Sequence, residues 1–186
     1  MRIQHKGTQT IETVRLNLRR FEDGDAEDMY NNWAGDPKVC QYLSWGPHKD
    51  ISVSRRRIRD WINNYTINSC YVWAIELKGL NQVIGSISVE VMEDEQQLCE
   101  VGYCIGNHYW NRGIMSEALR AVMHYLFYEI GYRRIRAKHD VLNVASGKVM
   151  QKAGMHYFKT EYHVGKRRDG SIYDCDVYLK DITKDV

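Results

Sequence analysis

Hydrophobic positions change period along the chain, and each change marks an element. Residues 14–19 alternate apolar and polar, the pattern of a half-buried strand. After a turn at Asp23-Gly24-Asp25 the spacing becomes helical, with Ala26, Met29, Tyr30 and Trp33 on one face. Asp36-Pro37 opens a short second helix carrying Val39, Tyr42 and Leu43, and residues 44–48 form a Gly/Pro loop. Ser52 or Ser54 caps a third helix whose inner face is Ile58, Trp61, Ile62 and Tyr65. The period then drops to two. Residues 71–77, 83–91 and 98–105 read as strands, with turns at 78–81 and at Glu93-Asp94-Glu95.

A loop over 106–113 leads into the longest amphipathic helix. Its stripe is Ile114, Ala118, Leu119, Val122, Met123, Leu126, Phe127 and Ile130, and Gly131 stops it. A strand over 133–138, a helix over 143–153 and two strands, 155–164 and 172–180, around Asp169-Gly170 complete the order. A helix crossing between the strands at 98–105 and 133–138 is a βαβ unit. The fold class is therefore α/β (α+β): a mixed sheet with helices packed on it.

The 186 residues suit one domain, 1–186, with an ordered core over about 10–181. At 44% hydrophobic and 27% charged, the chain is globular rather than disordered, and no apolar run is long enough to span a membrane. Net charge is only +2, so no nucleic-acid partner is expected. Three basic runs, Arg55 to Arg59, Arg133 to Lys138 and Lys166-Arg167-Arg168, read as solvated faces and a turn. Cys40, Cys70, Cys99, Cys104 and Cys175 are odd in number and hold no CxxC pair. The N-terminal stretch lacks the apolar core of a signal peptide, and a reducing cytoplasm is expected. No HxxxH or HExxH spacing occurs, so no metal is expected.

The chemistry-bearing stretch is 98–154. The first N–H groups of a helix lack internal partners and point at whatever lies ahead, where the macrodipole adds positive potential. Gly113 lets a ligand approach the backbone, and Arg112 adds a charge. This is a phosphate cradle, although neither GxGxxG nor GxxxxGK[ST] is present.

The chain resembles the GNAT superfamily of acetyl-CoA-dependent N-acetyltransferases, in its RimJ/RimL-like branch. The motifs begin at Glu12-Thr13-Val14-Arg15-Leu16-Asn17-Leu18-Arg19-Arg20-Phe21. They are sharpest at Glu100-Val101-Gly102-Tyr103-Cys104-Ile105 and Trp110-Asn111-Arg112-Gly113-Ile114-Met115-Ser116. They continue at Asn143-Val144-Ala145-Ser146 and Lys152-Ala153-Gly154-Met155. The family's [Q/R]-x-x-G-x-[G/A] loop falls on Trp110, Gly113 and Met115, of which only the glycine is kept. The resemblance implies a mostly antiparallel sheet flanked by helices. It implies that backbone N–H groups of Arg112, Gly113, Ile114, Met115 and Ser116 hold the coenzyme A pyrophosphate. Tyr103, Cys104, Ile105 and Asn143 would meet the pantetheine arm, and a backbone N–H there would stabilise the oxyanion.

An amine attacks a thioester only when neutral, so a base is required. Glu100 matches a strand glutamate that often serves as that base in the superfamily. Its bland reading is an ion pair with a neighbouring arginine. The tyrosine that many members use to protonate the thiolate is Met150 here, and Ser146 matches the serine of the RimL-type branch. Glu161 lies out of register with the other glutamate of that branch. Cys104 reads as a packed thiol rather than a nucleophile. Trp45 and His48 are expected to line the acceptor pocket, with a loop anchor as the bland reading. The expected function is acetyl transfer from acetyl-CoA to a primary amine, a protein N-terminus or a small molecule, by direct attack in a ternary complex. A non-catalytic acyl-CoA-binding module is the second reading, and the oligomeric state is left open, with a homodimer as one option.

Overall fold

The structure is a computed structural model that describes residues 3–167 and 170–182. Arg168 of the third basic run and Asp169 of the final turn lie outside the described residues. The strands are β1 (Ile11–Glu12), β2 (Leu16–Arg19), β3 (Val72–Leu77), β4 (Gln82–Glu93), β5 (Leu98–Ile105), β6 (Arg134–Asp140), β7 (His156–Lys166) and β8 (Ile172–Asp181). Among the described residues they form one sheet of order β1-β2-β3-β4-β5-β6-β8-β7. Only the β5–β6 pair is parallel, as the crossover predicts.

Four α-helices flank the sheet: α1 (Ala26–Met29), α2 (Ile51–Asn64), α3 (Ile114–His124) and α4 (Val144–Lys152). The first and third continue as π-helical turns, Tyr30–Ala34 and Tyr125–Ile130. Two expectations are corrected. The segment after Asp36-Pro37 is a 3-10 turn, Val39–Tyr42, rather than a helix. The N-cap of α2 is Asp50, whose carboxylate accepts from the Ser52 N–H at 2.7 Å. Ser54 lies one turn inside the helix, where it is fully buried and bonded to His48.

Period two sorts the strands between two cores. On one face Trp73, Ile87, Val101 and Ile135 pack with Leu119, Val122 and Leu126 of the long helix. On the other, Val72, Ala74 and Val83 pack with Met29, Trp33 and Ile58, and Cys104 leans against that cluster. Successive β5 residues therefore address opposite sides of the sheet.

The sheet opens in its middle. The β5–β6 register runs Leu98↔Arg134, Cys99↔Ile135, Glu100↔Arg136 and stops there. β5 nevertheless continues to Ile105, held by β4, and β6 continues to Asp140, held by β8. From Val101 onward the two strands part, leaving one edge of β5 without a strand partner. Beside this fork, the β4–β5 register shifts between Val89 and Val91, so that Glu90 is the extra residue of a bulge.

Candidate active site

The turn into α3 is shaped by backbone geometry. Gly113 sits at the N-cap with φ +70°, where a Cβ would be strained. Ile114, Met115 and Ser116 are buried, which fixes the helix end against the core. No side chain caps this end, so its first N–H groups are left without a side-chain partner. Arg112 is exposed on the turn. Its carbonyl accepts from Arg15 Nη1 at 2.9 Å, and Arg15 Nε pairs with Glu117 at 2.7 Å. A Cβ at Gly113 would lie 3.7 Å from Arg15 Nη2. Two guanidinium groups thus flank the turn.

Along the fork, the Tyr103 hydroxyl donates to the Ser146 carbonyl at 3.0 Å and lies 2.9 Å from Ser146 Oγ. Burial pushes the Tyr103 pKa well up, against a smaller lowering by the Ser146 bond, so the phenol stays protonated. Asn143 caps α4 by accepting from the Ser146 N–H at 3.3 Å. Met150 is buried in the core. The Trp110 indole donates to the Ile105 carbonyl at 2.9 Å and ties the end of β5 to the loop.

A cleft of about 1380 Å³ opens on the α1–α2 side and reaches through the fork. Trp45 and His48 both line it, with their rings 5.5 Å apart. His48 Nδ1 is 2.8 Å from Ser54 Oγ. Burial and then the charge of Arg57 pull the His48 pKa below 6.5, which keeps the ring neutral at neutral pH.

Glu100 stands on the cleft face but is buried, with one oxygen 2.7 Å from Arg136 Nε and the other 3.1 Å from Lys138 Nζ. Tyr103, Cys104, Asn143 and Ser146 also line the cleft. The Cys104 thiol is pushed up to about 11 by burial and sits 3.3 Å from Ser86 Oγ. A thiol so held is almost wholly protonated at neutral pH, as expected for a packed cysteine.

A strand forking from its neighbour, beside a helix N-terminus on a positive-φ glycine, matches a known architecture. Residues 15–156 match the family model described as an acetyltransferase (GNAT) domain. The chain belongs to this family. A protein named as an uncharacterised N-acetyltransferase, p20 of Bacillus licheniformis, is 32% identical over 143 residues, covering 76% of this chain and 79% of that protein. A GNAT-family acetyltransferase from Bacillus anthracis superposes with TM-score 0.81 at 25% identity, over 93% of this chain and 98% of that one. The fold is also that of RimL, a ribosomal L7/L12 α-N-protein acetyltransferase solved with coenzyme A, at TM-score 0.82 and 20% identity, over 94% and 98% of the two chains. As a GNAT acetyltransferase the chain carries out acetyl-CoA-dependent acetyl transfer. Among the described residues no group of three or more His, Cys, Asp or Glu could hold a metal, and no helix is long and apolar enough to cross a membrane.

Three features of this GNAT site are not apparent from the sequence. Arg15 lies in the first motif but reads there only as the polar position of a strand; its place beside Gly113 is tertiary. The Tyr103 hydroxyl bridges to α4, 43 residues later. Glu90 shares the parity of Ser86 and Ser88, which was the available signal, yet the bulge that swings it over Gly102 leaves no mark in the hydrophobic pattern.

Proposed function

We propose that this GNAT protein transfers acetyl directly to a primary amine while both substrates are bound, as a RimJ/RimL-type enzyme. The observation that carries this reading is the cleft that runs from the fork, where Tyr103, Cys104, Asn143 and Ser146 line it, to the aromatic wall of Trp45 and Trp61. Two substrates can meet there without an acyl-enzyme, and the protonated Cys104 thiol supports the direct route.

The residues fit a diphosphate thioester. The N–H groups from Arg112 through Ser116, with Arg15 and Arg112 beside them, suit the pyrophosphate. The free edge at Tyr103, Cys104 and Ile105 suits an amide-bearing arm that completes the sheet. A β5 N–H polarises the thioester carbonyl, and Asn143 and Ser146 stand at the arm's far side. Ser146 Oγ, held 2.9 Å from the Tyr103 hydroxyl, is the group that hydrogen-bonds the sulfur as it gains charge. The amine enters past Trp45 and His48, and two carboxylates, Glu100 and Glu90, stand on that side to receive its proton. The acceptor is a protein N-terminal amine or a small amine, and the likeness to RimL supports the former. The five free cysteines support a reducing cytoplasm.

A screen of N-terminal peptides, polyamines, amino acids and aminoglycosides, read by released coenzyme A thiol, tests this reading. Amine-dependent thiol release supports it. Tight acetyl-CoA binding with no release for any amine favours a non-catalytic acyl-CoA-binding module, and no binding at all removes the assignment.

A further inference from the structure

Of the two carboxylates facing the acceptor side, Glu100 is poorly placed to accept a proton. Both its oxygens are engaged, by Arg136 and Lys138, and the side chain is almost wholly buried. Protonating it would break charge-assisted bonds to two cations that cannot follow the proton. Glu90 differs in each respect. It is the bulged residue of β4, exposed, and lines the cleft. Among the described residues no cation lies within ion-pair distance of it. The Ser88 hydroxyl donates to Glu90 Oε1, which orients the carboxylate and leaves Oε2 without a hydrogen-bond partner among the described residues. Its side chain lies across Gly102: a Cβ there would stand 2.9 Å from Glu90 Cγ. The glycine therefore lets the carboxylate lie flat on β5, between the Glu100 pair and Cys104. Cys104 is close enough that the Glu90 charge contributes to raising its pKa.

Resting on the acetyl-transfer reading above, we infer that Glu90 is the proton acceptor for the incoming amine, held by Ser88 and seated on Gly102, while Glu100 anchors the fork through its ion pairs. Glu90 takes one proton from the ammonium, directly or through a water. The freed nitrogen lone pair forms the C–N bond as the carbonyl π pair moves onto oxygen. On collapse that pair re-forms the carbonyl and the C–S bond breaks, its electrons leaving on sulfur. The second N–H proton passes to the sulfur or to water, and Glu90 returns its own proton to solvent. Ionisable groups that share the cleft with Glu90 include Cys104 and Glu100 on β5, Lys138, His139 and Asp140 on β6, His48 and Lys49 on the loop before α2, and Arg56, Arg57 and Asp60 on α2.

The test uses the full chain and the best amine from the screen. Glu90→Gln lowers kcat by about 10²- to 10⁴-fold, leaves acetyl-CoA affinity within about twofold, and abolishes the fall of kcat on the acid side of the pH profile. Gly102→Ala, which pushes the carboxylate off its seat, lowers kcat by about 10²-fold, again with coenzyme affinity kept. Glu100→Gln retains the acid limb. The inference is overturned if Glu90→Gln keeps both rate and acid limb, or if the limb disappears only in Glu100→Gln. Wild-type protein that binds acetyl-CoA but acetylates no amine overturns the transfer reading itself, and Glu90's role with it.

Discussion

Cys104 and Tyr103 are adjacent in sequence and face opposite ways, and that parity divides the chemistry. Cys104 turns to the α1–α2 side, where burial keeps its thiol protonated. Tyr103 turns to the α3–α4 side and reaches Ser146. A nucleophilic Cys104 would need a lowered pKa, whereas burial and the Glu90 charge raise it, and its hydrogen-bond partner Ser86 offers only a hydroxyl. Mixing enzyme with acetyl-CoA in the absence of amine is therefore expected to give no stoichiometric burst of free thiol, and intact-mass measurement finds no acetylated chain. A burst that scales with enzyme concentration and is lost on alkylating Cys104 would establish the two-step route instead.

At the scale of elements, α4 makes a close approach to β6 at Gly147. Gly147 lies so near the buried His139 ring that a Cβ would stand 2.6 Å from Nε2, with the Tyr178 hydroxyl at 3.3 Å. The ring cannot retreat, because its Nδ1 is tied to the Asp140 carbonyl at 2.8 Å. Gly147→Ala is expected to destabilise the fold by about 1–3 kcal/mol, as overpacking of a tight contact does. It also lifts the first turn of α4, and with it Asn143 and Ser146, off Tyr103. Urea unfolding checks the first part as a lower midpoint with unchanged slope. The second appears as weaker acetyl-CoA binding, and full affinity in the variant would show that the seat of α4 is only structural.

For the whole molecule, the sheet separates two bodies of core, one under α3 and α4, the other under α1 and α2, and the fork splits the sheet itself into β1–β5 and β6–β8. The two parts of the sheet stay joined where Leu98 to Glu100 pair with Arg134 to Arg136, and through the ion-pair cluster there, in which Glu100 pairs with Arg136 and Lys138 and Arg136 also reaches Glu93 at 3.0 Å. A substrate that fills the fork bridges the separated strands and binds only the folded chain. Acetyl-CoA at about 100 times its dissociation constant contributes about 2.7 kcal/mol. For a chain of this size that raises Tm by about 5–10 °C. A thermal scan that shows no rise with acetyl-CoA at any concentration would remove the fork as its site.

Period-two and period-three-to-four patterns, with Gly113 and Gly131 as punctuation, were enough to set out most strands and helices, the βαβ crossover and the helix N-terminus at the fork. These are local properties: each side chain's burial follows from its place in a repeating backbone. The sequence does not single out Asp50 as the cap, because an acidic residue, two serines and two β-branched residues stand together, and only the His48–Ser54 contact shows which lies inside. Glu100 illustrates the other limit. The sequence put a carboxylate on the correct face of β5, while its two cations come from a strand more than 30 residues later. Where β5 and β6 part, which arginines flank Gly113 and which glutamate is free of cations depend on pairings between distant segments. The chain alone determined a GNAT-like order of elements and the glycine turn that opens α3. Tertiary structure decided the fork and the charge state of its surroundings, because register and ion pairing are set by what folds beside a residue rather than by its neighbours in sequence.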